Sequence, residues 1–161
     1  MNQDYPDRIF DVLIRRASSN DIQIIVSLMS QGALEGAKNK PIPEPLPEGY
    51  SQAFQKIEKD PNQSLMVAET NGEVIGTFQL SFLTYLQGGG QEDCQIESVF
   101  IAVKWRGKGI GSHMMKWAIE AAKNRNCRRL QLTTHKKRKN AHRFYERLGF
   151  ELSHEGAKMQ L

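Results

Sequence analysis

The sequence predicts a sheet covered by helices, in an α/β or α+β arrangement. Strand-like and helix-like segments alternate along the chain, an Asn-Gly pair joins two strand-like segments, and a glycine-rich turn separates an apolar strand from an amphipathic helix. With 161 residues, 39% of them hydrophobic, the chain is long enough for one domain with a full core. We expect that domain to span residues 13–161, after an N-terminal extension of residues 1–12.

Composition excludes several classes of protein. No apolar run approaches the roughly 20 residues that a membrane span needs. The polar start, Met1 to Arg8, lacks the apolar centre of a signal peptide, so a cytoplasmic protein without a membrane partner is expected. Cys94 and Cys127 are single and far apart, a spacing that fits neither a zinc site nor a disulfide framework. The histidines form no recognisable ligand set either, and no metal is predicted.

The charge of the chain favours an anionic partner. The formal net charge is +4, and Lys and Arg are concentrated after residue 104. Electrostatic attraction alone does not identify the partner, because nucleic acid and a polyanionic small molecule are both attracted to such a surface.

The sequence of the N-terminal half predicts both helices and strands. We expect a strand from Leu13, a helix ending at Ser30, a weak helix over 50–59, and two strands over 64–69 and 74–85. Residues 18–21 supply capping candidates for the first helix. Four prolines between residues 39 and 49 predict a loop over a surface or a substrate cleft. Asn71-Gly72 joins the two strands as a hairpin.

The C-terminal half continues the alternation. We expect a strand from about Asp93 to Val103, a helix from Ile110, a strand from Leu130 to Thr134, a short helix from Asn140 to Leu148, and a hairpin or strand pair over Phe150 to Leu161. Gly88 to Gly90 are interpreted as a flexible hairpin loop, because no helix follows them. The apolar stripe of the helix from Ile110 should face the sheet, with Met114 and Met115 as core residues.

The turn Arg106 to Gly111 is the most informative segment. Glycines let the backbone bend and approach a ligand closely, and the unpaired N–H groups at the start of the following helix attract an anion. The turn therefore predicts a phosphate site, with a tight strand-to-helix connection as the structural alternative.

Two familiar nucleotide motifs do not fit this turn. A Walker loop needs Lys and then Ser or Thr after its last glycine, but Gly111 is followed by Ser112 and His113. The dinucleotide fingerprint needs a third glycine or an alanine at a position that holds Ser112 or Met114 here, and the next strand ends without a carboxylate. Nucleoside triphosphates and nicotinamide cofactors are therefore excluded.

Two separated motifs point to one protein family. Arg106, Gly109 and Gly111 follow the pattern Arg or Gln, x, x, Gly, x, Gly or Ala, and the segment Asn140 to Phe150 follows the pattern Asn-x-x-x-Phe-Tyr ending in Gly-Phe. With both motifs, the chain resembles the GNAT superfamily of N-acetyltransferases from about residue 13 to the end. The segment 141–156 is most similar to small-molecule members such as aminoalkylphosphonate acetyltransferases.

The resemblance implies a fold and a cosubstrate. It implies a mixed, mostly antiparallel sheet of about six or seven strands flanked by about four helices, and acetyl-CoA as the acetyl donor. It also implies that the strand before the turn splays from its neighbour, so that its backbone pairs with the pantetheine arm and one N–H polarises the thioester carbonyl. Asn140 is expected to contact the cofactor or to cap its helix. The cofactor-binding residues implied are Phe100, Ile101, Val103, Arg106, Gly107, Lys108, Gly109, Ile110, Gly111, Ser112 and Asn140.

Acetyl transfer to an amine needs a neutral amine and a proton for the departing thiolate. At pH 7, only a fraction on the order of one in a thousand molecules of an alkylamine with a pKa of about 10.4 is neutral. Glu97 is the candidate base, directly or through water, and burial beside apolar neighbours would make it effective. The alternative is a carboxylate that serves structure or binds the cationic substrate. The resemblance makes Tyr145 the donor to the thiolate, with an aromatic ring packed on the sheet as the alternative.

The basic run His135 to Lys139 has two interpretations of equal weight. It is either a solvated loop or a contact for the 3′-phosphoadenosine end of CoA.

The predicted function is N-acetylation of a small-molecule primary amine by direct attack. The alternative enzyme acts on a protein amine, a Lys side chain or an N-terminus. The alternative of another class is a nucleic-acid-binding or regulatory module, but the chain lacks an RNP signature and a helix with a dense base-reading face. Residues 32–49 and 84–91 are expected to select the acceptor. The oligomeric state stays open, with a homodimer as one option.

Overall fold

The strands and helices follow the predicted alternation. The computed structural model describes residues 11–32 and 41–161. Within them, the five strands are β1 (Leu13–Arg16), β2 (Gln63–Thr70), β3 (Glu73–Thr84), β4 (Glu92–Ile101) and β5 (Leu130–Leu132). The five helices of the same residues are α1 (Ile22–Gln31), α2 (Glu48–Lys59), α3 (Gln87–Gly90), α4 (Ile110–Asn124) and α5 (Lys139–Arg147). Short 3-10 turns precede α1 at Ser19–Asp21 and follow β4 at Val103–Trp105.

The strands form one mixed sheet in the order β1-β2-β3-β4-β5. The pairs β1–β2, β2–β3 and β3–β4 are antiparallel, and β4–β5 is parallel. Asn71 and Gly72 have φ values of 50° and 76° at the turn between β2 and β3, as a tight hairpin turn requires. The mostly antiparallel sheet and its hairpin are therefore confirmed.

Helix α4 covers one face of the sheet through its predicted apolar stripe. The buried residues of α4 are Ile110, Met114, Met115, Ala118 and Ala122. They form one core cluster with Ile75 and Phe78 of β3, which are fully buried. Burying a side chain of this size stabilises the fold by roughly 1.5–3 kcal/mol, so the methionines of α4 are core residues, as predicted.

The opposite face of the sheet is also covered. Val67 is fully buried although it lies between Met66 and Ala68 of the α4-side cluster, and successive residues of a strand point to opposite faces. Helices α1 and α2 contact the sheet, and they contribute buried side chains such as Leu28 and Phe54. The sheet is therefore a middle layer between helices.

Three expectations about the elements need correction. The described residues hold five strands instead of about six or seven, because residues 150–161 form no strand and residues 151–161 are exposed. Gly149, with a φ of 92°, turns the chain, and Phe150 then packs on Tyr145 with ring centroids 5.8 Å apart. Gly88 to Gly90 do join the antiparallel strands β3 and β4 as a hairpin loop, but they form the short turn α3, in which their φ values are 72°, 86° and 78°. β4 ends at Ile101, before Val103.

Parts of three other predictions lie outside the described residues. These are residues 1–10 of the N-terminal extension, residues 39–40 of the proline segment, and residues 33–40 of the segment expected to select the acceptor. Residues 41–47 contain neither helix nor strand, in agreement with the predicted loop.

A buried ion pair joins β1 to the turn before α1. Asp21 is only 6% exposed and accepts hydrogen bonds from the Arg15 guanidinium at 2.7 and 3.0 Å. The Ser18 backbone N–H adds a bond of 2.7 Å to the same carboxylate, and Arg15 also pairs with Glu69 of β2 at 2.7 Å. The hydrogen bonds from Arg15 lower the pKa of Asp21 to about 2, because they favour the ionised form.

Asp21→Asn is expected to flatten the acid limb of the stability profile. The folded-state pKa of Asp21 lies below its ordinary 3.8, so the ion pair stabilises the protein above that pH and this contribution is lost as pH falls toward 2. Between about pH 5 and pH 2, the wild type should lose about 2 kcal/mol of unfolding free energy through this group. Urea unfolding at each pH measures the loss. Glu58→Gln, on an exposed face of α2, is the control, and an Asp21→Asn profile as steep as the wild type would contradict the assignment.

Candidate active site

β4 and β5 separate to leave a gap in the sheet. Their parallel pairing joins only Cys94–Ile96 to Leu130–Leu132. β4 continues to Ile101 and stays paired with β3. Within the described residues, the stretch 97–101 therefore has a backbone edge without a partner strand on its β5 side, and the predicted splaying is present.

A β-bulge at Ser98 lies at the start of this unpaired edge. Glu97 pairs with Gln79 of β3 and Phe100 pairs with Thr77. Two residues of β4 therefore lie between these pairs, but only one residue of β3 does. Ser98 has a φ of 53°, in the left-handed region that a residue with a Cβ rarely adopts. Because one extra residue enters β4 here, the alternation of its peptide groups shifts by one position.

The shift determines which peptide groups face the gap. The Ala102 N–H donates to the Ile75 carbonyl on β3 at 2.9 Å. Since peptide groups alternate along a strand, those of Ile101 and Val99 point the other way, into the gap. The Ile101 carbonyl there accepts a hydrogen bond from Arg106 Nε at 3.0 Å. The peptide group of Phe100, which the sequence implied as a cofactor contact, faces β3 instead.

The turn after β4 presents a row of backbone N–H groups. Gly107 and Gly109 have φ values of 73° and 82°, which glycine adopts at little cost. The N–H of His113 donates to the Gly109 carbonyl at 3.0 Å, and no side chain caps the start of α4. Among the described residues, the N–H groups of 107–112, including those of Lys108, Ile110 and Ser112, have no acceptor. The turn therefore has the geometry of an anion site.

Gly111 brings the start of α4 beside the gap. A Cβ at this position would lie 3.1 Å from Ile101 Cδ1 and 3.2 Å from Phe144 Cζ, which is tighter than ordinary van der Waals contact. The glycine thus lets α4, β4 and α5 meet at one point. The uncapped helix end and the unpaired strand edge are neighbours as a result.

The charged side chains of the turn have separate contacts. Besides its bond to the Ile101 carbonyl, Arg106 donates from Nη2 to the Gln31 carbonyl at 3.4 Å, so its guanidinium braces β4 and α1. Lys108 Nζ lies 4.8 Å from the centre of the Trp105 ring, within cation–π range. Both cations of the turn therefore have protein contacts, and the backbone N–H groups of the turn are open to an anion.

Tyr145 lies half-buried on α5, next to the residue that contacts Gly111. Its ring packs edge-on against Phe144 and Phe150, with centroids 5.1 and 5.8 Å away. Burial raises the pKa of Tyr145 above its ordinary value of 10, and the charge of Arg138 offsets this in part. The hydroxyl therefore keeps its proton at neutral pH and can donate a hydrogen bond.

Glu97 is exposed, so it lacks the burial that would make it an effective base. Its neighbour Ile96 points into the core and is 1% exposed, so strand alternation turns Glu97 to the other face. There it accepts a hydrogen bond from Gln95 Nε2 at 2.9 Å. A role as base stays a prediction, without the support that burial would give.

Asn140 does not cap α5. The cap position belongs to Arg138, and the Asn140 amide oxygen accepts a hydrogen bond from Arg143 within the helix. The capping alternative is therefore wrong, while contact with the cofactor stays a prediction.

The structure divides the basic run. His135, Lys136, Lys137 and Lys139 are exposed. Arg138 is half-buried, and its Nη2 donates to the Gly32 carbonyl at 2.6 Å. The exposed members can attract an anion, whereas Arg138 already has a protein partner.

The end of α1 is part of the site, and the sequence reasoning missed it. The Gln31 side-chain oxygen accepts a hydrogen bond from the Val103 N–H at 3.4 Å, in addition to the arginine contacts at the Gln31 and Gly32 carbonyls. The available signal was Gly32 itself, two residues after the predicted end of the helix, because a glycine close behind a helix is typical of its C-terminus.

Metal and thiol chemistry find no support in the part of the chain that the structure describes. No group of three His, Cys, Asp or Glu side chains in 11–32 and 41–161 could hold a metal ion. Both cysteines are unpaired, and burial raises the pKa of Cys94 to about 12, so it is not a thiolate at neutral pH. Among the same residues, no helix has the length and apolar character needed to cross a membrane.

A family model matches the region that contains the gap, the turn and α5. It is described as acetyltransferase (GNAT) family, and it matches residues 33–150. The chain belongs to the GNAT acetyltransferase family. It is therefore an acyltransferase with a fold that uses acetyl-CoA, and the fold class expected from the two motifs is confirmed.

Individual proteins show the same likeness. The aminoalkylphosphonate N-acetyltransferase of Salmonella typhimurium is 33% identical over 107 residues, which are 66% of this chain and 69% of that protein. A Bacillus halodurans C-125 structure described as a transcriptional regulator is 43% identical, with a TM-score of 0.87 over 93% of this chain and 99% of that one. A Clostridium acetobutylicum structure, described as a predicted acetyltransferase with acetyl-CoA, has a TM-score of 0.71 over 92% of this chain and 96% of that one. At 20% identity, the last similarity is one of fold.

Proposed function

We propose that this GNAT acetyltransferase moves the acetyl group of acetyl-CoA to a primary amine of a small molecule by direct attack. The observation that carries the proposal is the unpaired edge of β4 beside the uncapped start of α4. An extended pantetheine arm can pair with such an edge as an added strand does, and a pyrophosphate is suited to the helix end. The similarity to the Salmonella aminoalkylphosphonate enzyme supports a small substrate.

Backbone groups supply most of the proposed cosubstrate site. The gap-facing peptide groups of Val99 and Ile101 meet the amides of the pantetheine arm, and the N–H groups of 107–112 meet the pyrophosphate. The exposed lysines of the run 135–139 then attract the 3′-phosphate of the adenosine end. Asn140, at the start of α5, lies next to this run in the chain and completes the proposed contact set.

The reaction begins when the neutral amine attacks the thioester carbonyl carbon. A C–N bond forms, and the carbonyl oxygen becomes an oxyanion that accepts a hydrogen bond from a gap-facing N–H group of β4. A preorganised donor of this kind is worth about 3 kcal/mol in other acyl transfers. The C–S bond then breaks, which leaves the amide and the CoA thiolate. The proton that the amine loses passes to Glu97, directly or through water, or to solvent.

Tyr145 stabilises the thiolate as it leaves. A phenol with a pKa above 10 is a weaker acid than an alkyl thiol, so it does not give its proton fully to the departing thiolate. It donates a strong hydrogen bond to the sulfur instead, and the thiolate takes its final proton after release. The raised pKa is thus compatible with a donor role, because it keeps the hydroxyl protonated.

The acceptor is proposed to enter from a groove between α1 and the proline segment. The groove has a volume of about 200 Å³ and is lined by Val26, Met29, Ser30, Pro41, Ile42, Pro43 and Tyr50. Pockets for small ligands begin at roughly 300 Å³, so the groove suits part of a small amine. It lies in the 32–49 region expected to select the acceptor and on the helix that precedes it.

A thiol-release assay tests the proposed function. Acetyl-CoA is incubated with the protein and a panel of alkylamines, polyamines, amino acids, aminophosphonates and lysine peptides, and free CoA is measured. We expect release with a small amine above the rate without acceptor. Release with peptides alone would establish the protein acetyltransferase. Calorimetric titrations with CoA and with duplex DNA form the second part of the test. Salt-dependent DNA binding without CoA binding would reject the proposed acetyltransferase function.

Tyr145→Phe is expected to lower kcat about tenfold or more with little change in the KM for acetyl-CoA. The lost donor acts chiefly as the thiolate forms, so it affects the transition state more than cosubstrate binding. Steady-state kinetics on the best amine of the panel measure the change. Phe150→Leu, which alters the ring packed on Tyr145, controls for packing, and an unchanged kcat in Tyr145→Phe would remove the residue from this role.

Glu97→Gln is expected to reduce activity most at the acid end of the pH profile. The amine is most completely protonated there, so removal of its proton limits the rate most strongly. Profiles of kcat/KM for variant and wild type between about pH 6 and pH 9 measure the effect. Gln95→Ala removes the hydrogen bond to Glu97 and keeps the carboxylate, so its profile should follow the wild type. Parallel profiles for Glu97→Gln and wild type would leave Glu97 without a role in proton removal.

A further inference from the structure

Arg138 differs from its neighbours in the basic run because its guanidinium binds α1. Its Nη2 lies 2.6 Å from the Gly32 carbonyl, 106 positions away in the chain. The run before α5 and the end of α1 are therefore in direct contact. A residue that the sequence groups with possible phosphate ligands thus connects two elements of the fold.

The end of α1 is a suitable partner for a cation. Gly32 is the cap residue of α1, and its own N–H donates to the Leu28 carbonyl at 3.2 Å. Its carbonyl belongs to the last turn, where carbonyl groups lack helical donors and carry the negative end of the helix dipole. Arg106 contacts the preceding carbonyl, that of Gln31. Arg106 and Arg138, which belong to the turn before α4 and to the basic run before α5, therefore both bind the C-terminal end of α1.

This helix end also rests against the gap. The Phe100 ring lies so close to Gly32 that a Cβ there would be 2.1 Å from Phe100 Cδ1. Phe100 lies between Val99 and Ile101, the residues whose peptide groups face the gap. The end of α1 is thus held beside the gap by the packing of Phe100 and by the contacts of Arg106 and Arg138.

The same helix forms one wall of the groove. Val26, Met29 and Ser30 of α1 line it, opposite the proline segment and Tyr50. Met29 and Ser30 lie within one turn of Gly32, so a movement of the helix end moves this wall. The chain of contacts therefore runs from Arg138 through Gly32 to the groove.

We propose that Arg138 is a positioning residue that holds the acceptor groove in place relative to the thioester, and that it is not a phosphate ligand of CoA. The inference rests on the proposed function, because the groove is there assigned to the amine. A misplacement of about 1 Å can cost as much as a hundredfold in rate, so loss of one contact at the helix end is enough to affect transfer. The lysines beside Arg138 keep the electrostatic role.

The test compares Arg138→Ala with Lys137→Ala, a change of the neighbouring cation, which is exposed. Arg138→Ala is expected to lower kcat/KM for the amine about tenfold and to change the calorimetric Kd of CoA less than twofold. Lys137→Ala should instead raise the CoA Kd, by a factor that shrinks as salt is added, and the amine kinetics of both variants are compared at saturating acetyl-CoA. Arg138→Lys should restore most of the amine kcat/KM, since an ammonium can still donate to the Gly32 carbonyl.

Hydrogen exchange provides a readout that does not need turnover. Backbone amides of residues 28–32 should exchange faster in Arg138→Ala than in the wild type, and Lys137→Ala should leave them unchanged. A weakened CoA Kd with normal exchange and normal amine kinetics in Arg138→Ala would overturn the proposal, as would no change in any measurement. If the wild type transfers acetyl to no amine of the panel, the proposed function fails, while exchange and CoA affinity still decide the role of Arg138. Should Arg138→Ala not fold, the same measurements on Arg138→Lys and Arg138→Gln decide it.

Discussion

The separation of β4 from β5 after Ile96 is the constraint on which the site depends. β4 stays paired with β3 as far as Ile101, so it does not follow β5, and one edge of its backbone loses its partner. Unpaired peptide groups cost free energy when they are removed from water without a hydrogen bond. Arg106 satisfies the carbonyl of Ile101, which leaves N–H groups for a ligand that carries carbonyl oxygens. The proposed pantetheine arm, which contains amides, would complete the hydrogen bonding that the fold leaves open.

The bulge at Ser98 and the glycine at 111 make this edge useful. The Cys94 N–H donates to the carbonyl of Arg129, directly before β5, at 2.9 Å. Without the bulge, alternation from Cys94 would bring the peptide group of Phe100 to the gap and turn those of Val99 and Ile101 toward β3. A side chain at Gly111 would push the start of α4 away from Ile101. The backbone donors of the strand and of the helix end are therefore adjacent because of two local irregularities, each one residue long.

Sequence patterns predicted the features that depend on local chemistry. The glycines of the turn, the Asn-Gly hairpin and the stripe of α4 each require particular residue types at fixed spacing, and the structure contains all three. The bulge could not be predicted in this way, because Ser98 is not a residue type that favours a positive φ. The sequence does not distinguish Arg138 from its neighbour Lys137. The contact of Arg138 depends on where α1 ends, 106 positions away in the chain. The exposure of Glu97 likewise depends on tertiary packing, because the helices on its face of the sheet leave this position of β4 uncovered.

In the proposed site, backbone groups bind the cosubstrate and side chains select the acceptor. Membership of the family therefore does not identify the acceptor amine. The proposed contacts with the pantetheine arm and the pyrophosphate use peptide groups, which any sequence of the same backbone geometry presents. Side chains decide only the groove, the base and the donor, and these can change while cosubstrate binding is kept. Membership of the family is therefore compatible with several acceptors. α1 contributes to both halves, because its end contacts the cosubstrate side and its last turns line the groove. Changes at Arg138 and Gly32 should thus alter acceptor selection without any change in the residues that touch the acceptor.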